Sequence, residues 1–442
     1  MDANNTNNET TTVAGYCILP EDITGNQWLF YHSFTWWFEG FGSAFIGSIG
    51  LFFNLITICV LLGGDVAASF FNWLLVCLAG FDAFFLLNGI LEAFRNHLGS
   101  SNFHVYLFVN FFYPFRSFVM CCSIYTTVLL ALERYNALVR PISNQGIGRS
   151  KQSMRQYLKQ HWTRLLKYIG PIMILAAVFC IPKTLELKLL TEERCDVIQN
   201  DIHKTNSCSL HYEIALTGLR SNNVYNLWYH IITNLFVTAI VPLVSLSYLN
   251  VNIYLKFRQY LRRQPTFANK AICIQNTANE QKVKKREKDM IQQTMILFSV
   301  VVLFGLFHTL RIVLNIEEFA SLEKRKRVKE QNDGCEWLQY WTIIASPISH
   351  ILLQLNSSLN FIIYCYFNKS FRDVLISWIN VFSTSVRLNR TQSNDRSVTK
   401  FKSNEESSPM LQTKGTMMTT AFITETKNHE NVSLKGDLHT EV

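Results

Sequence analysis

Seven stretches of this chain are long and apolar enough to cross a lipid bilayer, and that limits its fold more than any other feature. They run over roughly 41–63, 69–94, 106–132, 166–187, 224–254, 290–316 and 338–366. In hydrocarbon no water satisfies backbone N–H and C=O groups, so a spanning segment must be a helix or part of a closed barrel. Blocks of this length suit helices, which need about 20 apolar residues to cross a core of about 30 Å. Phe41 to Leu62 contains no charged residue at all. Lys183 closes the fourth block early. The expected fold is an all-α membrane protein, a bundle of seven transmembrane helices. Composition agrees: 49% of the 442 residues are hydrophobic, and they fall in blocks rather than in an amphipathic pattern. Two or three soluble domains, which the length alone would permit, are not indicated.

Basic residues set the expected orientation. Segment 134–167 holds eight Lys and Arg and 256–288 holds ten, whereas residues 1–26 hold none and 95–105 holds one. Short cytoplasmic loops collect positive charge, so the N-terminus is expected outside a plasma membrane and the C-terminus inside. The run Lys324-Arg-Lys-Arg-Val-Lys329 disagrees, since a count of seven spans makes it an outer loop. The net charge of +9 is then inner-leaflet bias toward membrane lipid and calls for no nucleic acid. No cleavable signal peptide is visible in the polar first 26 residues. Asn4 and Asn8 each begin a glycosylation triplet there, while similar triplets at Asn389 and Asn431 fall in the expected cytoplasmic tail. The organisation read from this is an extracellular segment 1–40, a bundle 41–366, an amphipathic juxtamembrane helix 367–380 and a tail 381–442 without assigned fold.

Four cysteines lie outside the membrane in this scheme: Cys17, Cys195, Cys208 and Cys335. They allow three full pairings, of which Cys195–Cys208 and Cys17–Cys335 is the one favoured. Among polar residues within the blocks, Asp82 stands out, because a carboxylate at membrane depth is costly and by default functional. The third block ends on Glu133-Arg134-Tyr135. In the seventh, Asn356, Asn360 and Tyr364 recur every fourth residue and share one helix face.

Asn54, Leu-Ala-x-x-Asp82, Glu133-Arg134-Tyr135, Pro242 and Asn360-x-x-x-Tyr364 followed by Phe371-Arg372 come one per expected span and in order. This ordered set resembles the landmarks of rhodopsin-like G-protein-coupled receptors, over roughly residues 40–380. Ser123-Ile-Tyr-Thr126, Ile181-Pro-Lys183-x-x-Glu186, His308-x-x-Arg311 through Asn315 and Glu318, and Asn356-Ser-Ser-Leu-Asn-Phe361 are similar to invertebrate FMRFamide-receptor-like peptide receptors. The resemblance implies a receptor for an amidated neuropeptide that signals through a heterotrimeric G protein. It implies that Arg134, held by Glu133 at rest, meets the G protein, with Tyr135 beside it and Tyr364 turning inward on activation. It further implies that Asp82, Asn54, Asn356 and Asn360 form a buried cluster holding either a sodium ion or a water network.

Departures from the family pattern accompany this. Phe103 to Phe115 contains no cysteine, so the usual disulfide from the third span to the second outer loop cannot form. The sixth span reads Phe307-His308-Thr309-Leu310 without the usual tryptophan and proline, and Phe361 replaces the seventh-span proline. Charged residues of the outer halves, Glu92, Arg116, Arg311, Glu317 and Glu318, are the expected ligand pocket. Arg116, eighteen residues before Arg134 on the same helix face, occupies the place where aminergic receptors carry an aspartate, which argues against an amine ligand. Glu92 either pairs with Arg116 or, like Glu317 or Glu318, accepts an arginine of the peptide in a bidentate bond.

After Tyr364, Phe371, Val374, Leu375 and Trp378 fall on one side of a short helix suited to the inner leaflet. Ser and Thr clusters of the tail such as Ser407-Ser408 fit phosphorylation and arrestin binding, and the ending Thr440-Glu441-Val442 fits a PDZ partner. No zinc pattern, aspartate pair or serine–histidine pair at membrane depth points to an enzyme. A seven-span channel of inverted topology is opposed by the basic inner loops, and a receptor-like chain that no longer signals is the other alternative.

Overall fold

The structure, a computed structural model, describes residues 11–13, 16–18, 25–63, 70–99, 101–139, 154–200, 203–263, 277–331, 339–381 and 383–384. Within them six helical stretches are long and apolar enough to cross a membrane: Asn26–Leu62, Phe70–His97, Asn102–Ala137, Trp162–Leu185, Asn223–Lys256 and Ile291–Val328. These are the first to sixth spans below. The seventh helix, Tyr340–Phe367, has 28 residues and packs against the first, second and sixth. It lacks the apolar average of the other six because its polar residues turn inward. Ser349, Gln354, Ser357, Ser358 and Asn360 are all buried.

The first span shows how a membrane inverts the usual pattern. Phe45, Ile49, Phe52 and Leu55 face outward, whereas Gly47, Gly50, Asn54 and Thr57 are buried against the bundle. Small residues inward let backbones approach where lipid offers no hydrophobic drive. Gly50 illustrates the need, since a Cβ there would overlap the Ser358 hydroxyl of the seventh helix. One large cluster forms the core, from Leu61 and Phe71 through Leu130 and Leu246 to Ile296, Tyr364 and Phe371.

Several helices are longer than the apolar blocks. The aromatic stretch from Gly25 is helical and runs into the first span through a π-helical turn, Trp36–Gly42. The sixth helix extends over Thr277–Gln331 without a proline. The basic run at 324–329 is therefore the last turns of this helix and not a loop, which corrects the sequence expectation. Two of its charges have partners within the helix: Arg325 pairs with Glu317 at 3.1 Å, and Arg327 with Glu323 at 3.8 Å. The fourth helix, Met154–Cys180, continues as a 3-10 turn, Ile181–Leu185, so Lys183 does not end it early.

The all-α expectation needs a second correction. Strands β1 (Thr11–Val13) and β2 (Tyr16–Ile18) pair antiparallel, and so do β3 (Leu187–Asn200) and β4 (His203–Leu216). The second pair is a hairpin between the fourth and fifth spans. A hydropathy scan for membrane-length blocks is blind to it, because its strands are polar and owe their order to the backbone ladder. The register sets Cys195 opposite Cys208, and Cys17 opposite Thr12. Cys335 lies outside the described residues, as do Asn4, Asn8, Thr440 and Val442.

After Asn368 a further helix covers 369–381. Asn368 starts it by accepting the Phe371 N–H at 3.1 Å, and Arg372 returns to the Cys365 carbonyl at 3.0 Å. Phe371 is fully buried against Phe361 and Tyr364, so this helix is docked into the bundle core rather than only laid along it. Phe361, in the place of the usual proline, stacks on Phe53 of the first span at 4.6 Å.

Candidate functional site

At one end of the bundle Arg134 is nearly enclosed. Its guanidinium lies 2.5 Å from Glu133, donates to Gln293 of the sixth helix, and sits 4.0 Å over the ring of Phe71 of the second. One side chain thus clasps three helices. The guanidinium presents a flat fork of donors and a stacking face together, which a lysine ammonium cannot. Gln293 and Phe71 carry no motif and were not found from sequence. Tyr364 lies deeper, 1% exposed, and its hydroxyl has no hydrogen-bond partner.

In the middle of the bundle, Asp82 is fully buried. It accepts from Ser123 at 2.6 Å, Ser357 at 3.0 Å and Asn360 at 2.8 Å. Asn54 donates to the carbonyls of Gly50 at 2.9 Å and Ser357 at 3.0 Å, tying the first span to the seventh helix. Asn356, grouped with these by its four-residue spacing, is half-buried and not among the partners of Asp82; Ser357 takes that place. The face toward Asp82 therefore follows a three-residue step from Ser357 to Asn360. Asp82, Ser123, Ser357 and Asn360 are the oxygen-bearing residues that would hold a hard monovalent cation here, with both serine hydroxyls donating to Asp82 Oδ1 in this structure. A sodium ion held by them would neutralise the buried carboxylate.

Helices five and three are linked through another motif residue. Tyr125 donates to the Val237 carbonyl at 2.9 Å, in the turn before Pro242, which has no N–H to return to that turn.

At the opposite end, beneath the hairpin, Arg116 is ion-paired with Glu92. Glu317 is engaged by Arg325, and Arg311 has Glu318 as its charged neighbour on the same helix. The five charged residues expected to line one pocket come from the second span (Glu92), the third (Arg116) and the sixth (Arg311, Glu317, Glu318), with Arg311 in electrostatic reach of Arg116. A different residue organises this end. Glu186, at the foot of β3, is 0% exposed and accepts from Tyr113 of the third span and from Tyr225 of the fifth at 2.9 Å. His230 Nδ1 is 3.6 Å away, and Lys183, itself 8% exposed, is its basic neighbour. Burial alone would raise the Glu186 carboxyl; His230, Lys183 and Tyr113 outweigh it and hold it at about 2. The hairpin base closes on the same point through Thr217, whose N–H reaches the Glu186 carbonyl at 2.9 Å and whose hydroxyl reaches the Leu185 carbonyl at 2.6 Å. The legible signal was the pair Lys183-x-x-Glu186, opposite charges one turn apart at the end of a span.

A bundle of membrane-length helices with a clasped arginine at one end and a carboxylate cluster at its centre is the build of a seven-helix receptor. The profile described as 7 transmembrane receptor (rhodopsin family) matches residues 53–364, and the chain belongs to that family. Among proteins it resembles is an FMRFamide receptor of Drosophila melanogaster, 26% identical over 370 residues. That alignment covers 80% of this chain and 56% of the relative. Another is the FMRFamide peptide receptor frpr-18 of Caenorhabditis elegans, 22% identical over 337 residues, covering 74% of this chain and 66% of the relative. The chain spans less than two thirds of the length of either.

Proposed function

We propose that this chain is a plasma-membrane receptor for an amidated neuropeptide of the FMRFamide kind, and that it passes ligand binding to a heterotrimeric G protein. All seven helices cross the bilayer in this reading. The hairpin end faces outward, the Arg134 end faces the cytoplasm, and the 369–381 helix lies at the inner leaflet. Arrestin binding to the phosphorylated tail and PDZ capture of Thr440-Glu441-Val442 belong to the same reading.

The observation that carries the signalling role is the Arg134–Gln293 contact. It holds the sixth helix closed against the third at the end where a G protein would insert. A receptor is a two-state bundle biased from outside, and this contact belongs to the closed state. The peptide class is brought over from the two relatives' names. Sodium at Asp82 would favour the closed packing by keeping Ser123, Ser357 and Asn360 drawn together.

The test is a calcium or cyclic-AMP response in cells expressing the chain, challenged with a library of amidated peptides. A response at nanomolar peptide supports the reading; silence with surface expression established refutes it. A second measurement bears on the clasp itself. Gln293→Leu removes the acceptor of a charged hydrogen bond, so the closed–open balance should shift toward open by about tenfold or more. Ligand-free signalling is then expected to rise, and unchanged basal activity would show that Gln293 does not restrain the sixth helix.

A further inference from the structure

The hairpin of β3 and β4 is a ladder whose hydrogen-bonding phase can be read at two places. Thr217 gives its N–H to the Glu186 carbonyl at 2.9 Å. Glu186 and Thr217, one step below the Leu187–Leu216 pair, are therefore a rung joined by a hydrogen bond. Five rungs further out Tyr212 stands opposite Thr191, and its N–H leaves the ladder for Asn102 Oδ1 of the third span at 3.2 Å. Antiparallel rungs alternate between pairs that exchange N–H···O bonds and pairs whose backbone groups point away from each other. Counting from Glu186, the second kind falls on the odd-numbered residues of β3. Thr191 is one of them, so the two observations agree. Cys195, opposite Cys208, is another.

That phase decides what two opposed cysteines can do. Residues opposite each other have Cβ atoms about 4.5–5.5 Å apart, and the closer end of the range belongs to rungs without hydrogen bonds. A disulfide needs Cβ atoms roughly 3.5–4.5 Å apart, which such a rung meets and a hydrogen-bonded rung does not. The side-chain pattern of the outer hairpin leaves its register weakly specified. Beyond Thr191 one face of β3 carries Glu193 with Val197, and the other carries Arg194 and Asp196 with Ile198. Neither face is apolar enough to forbid a slip of one residue. Such a slip would turn the Tyr212 N–H away from Asn102 and take Thr217 off the Glu186 carbonyl, so something else must hold the strands in step.

We propose that Cys195 and Cys208 are joined as a cross-strand disulfide that locks the register of this hairpin. The bond closes a ring of 14 residues within one loop and leaves the hairpin tied to the third span by noncovalent contacts alone. It forms as the two thiols give up two protons and two electrons to a protein disulfide of the oxidising secretory pathway, which departs as a dithiol. Cys17, opposite Thr12 in the β1–β2 pair, takes no part. The bond holds whatever ligand the receptor takes, but it rests on the receptor reading in one respect, since the hairpin end must face outward.

The experiment treats intact cells expressing the full chain with a membrane-impermeant maleimide, then purifies the chain without reductant and digests it with trypsin. Cleavage after Arg194, Lys204 and Arg220 leaves Cys195 in peptide 195–204 and Cys208 in peptide 205–220. The expected product has the mass of both peptides less two hydrogens and carries no maleimide. Treating the cells first with a water-soluble phosphine should separate the two peptides and label each. Two labelled peptides without the phosphine, or either cysteine linked to Cys17 or Cys335, overturn the inference and leave the receptor reading intact. Thiols that only a membrane-permeant maleimide reaches would place the hairpin inside, which fails the receptor reading first and the inference with it. The register lock has its own readout, hydrogen exchange in peptide 205–220, which should quicken about tenfold or more on reduction. Cys195→Ser and Cys208→Ser should each quicken it by the same factor, and the double variant no further. Exchange that reduction leaves unchanged, or single effects that add, would overturn the lock.

Discussion

Replacing Arg134 with alanine should abolish ligand-stimulated signalling while leaving the chain at the cell surface with its ligand affinity largely kept. Arg134 does two things that predict opposite outcomes. As one half of the contact with Gln293 it restrains the sixth helix, so its loss taken alone would release basal activity. As the cation set at the mouth of the bundle it is, in the proposed receptor reading, the group that meets a G protein, so its loss would remove the output itself. The second effect dominates, because an open bundle without its arginine has nothing to engage the G protein. The combination with Gln293→Leu separates the two. Gln293→Leu alone should raise ligand-free signalling, and Arg134→Ala should silence it again in the double variant. Folding should survive, since Arg134 is at the bundle end and its partner Glu133 keeps 21% of its side chain exposed, where water can replace the lost ion pair. Arg134→Lys keeps the charge but loses the planar fork shared among Glu133, Gln293 and Phe71, and should fall between the two. Calcium or cyclic-AMP responses across the four variants, at matched surface level, decide the matter. Full coupling by Arg134→Ala would remove Arg134 from the output path.

What the sequence could disclose followed from how local each signal is. Spans are local: an apolar run of membrane length favours a helix, and each block found from hydropathy overlaps one long helix, although 166–187 ends in the first residue of β3. The seventh block was read from its apolar residues like the others, yet Ser349, Gln354, Ser357 and Asn360, all buried, dilute the apolar character of the helix it becomes. Helix ends were misjudged where polar turns continue a helix, as at 324–329, where Glu317 and Glu323 supply partners to Arg325 and Arg327. The hairpin was missed because its order comes from cross-strand pairing between 187–200 and 203–216, which no single window contains. Sites divided the same way. Asp82 and Arg134 announce themselves, since a charge at membrane depth or at a span end is costly wherever it occurs. Their partners Ser123, Ser357, Gln293 and Phe71 are ordinary residues made important only by packing.

Removing the Glu186 carboxylate should be the most destabilising single change outside the apolar core. The chain has no cysteine between Phe103 and Phe115 with which to fasten the third span to the hairpin, yet the hairpin must be held over the bundle. Glu186 makes that attachment without a covalent bond. It joins Tyr113 of the third span, the end of the fourth at Lys183, and Tyr225 of the fifth at one fully buried point. Glu186→Ala would leave Lys183 as a buried cation without its counter-charge and two phenols without their acceptor. Breaking a buried charged network by removing one member costs roughly 3–5 kcal/mol. The thermal midpoint of the detergent-solubilised chain should therefore drop, and its surface level with it. Two further measurements distinguish this network from a generic packing defect. Lys183→Met with Glu186→Leu replaces both charges by apolar volume and should destabilise less than Glu186→Ala alone. The pH dependence follows from the lowered carboxyl. A group held at about 2 rather than 4.5 contributes its full stabilisation above pH 4.5 and loses it as pH falls toward 2. The share of the gap between wild type and Glu186→Ala that belongs to the carboxylate itself should thus hold down to about pH 4.5 and shrink below it. A gap independent of pH across that window would mean that packing, and not the ionised carboxylate, fastens the hairpin.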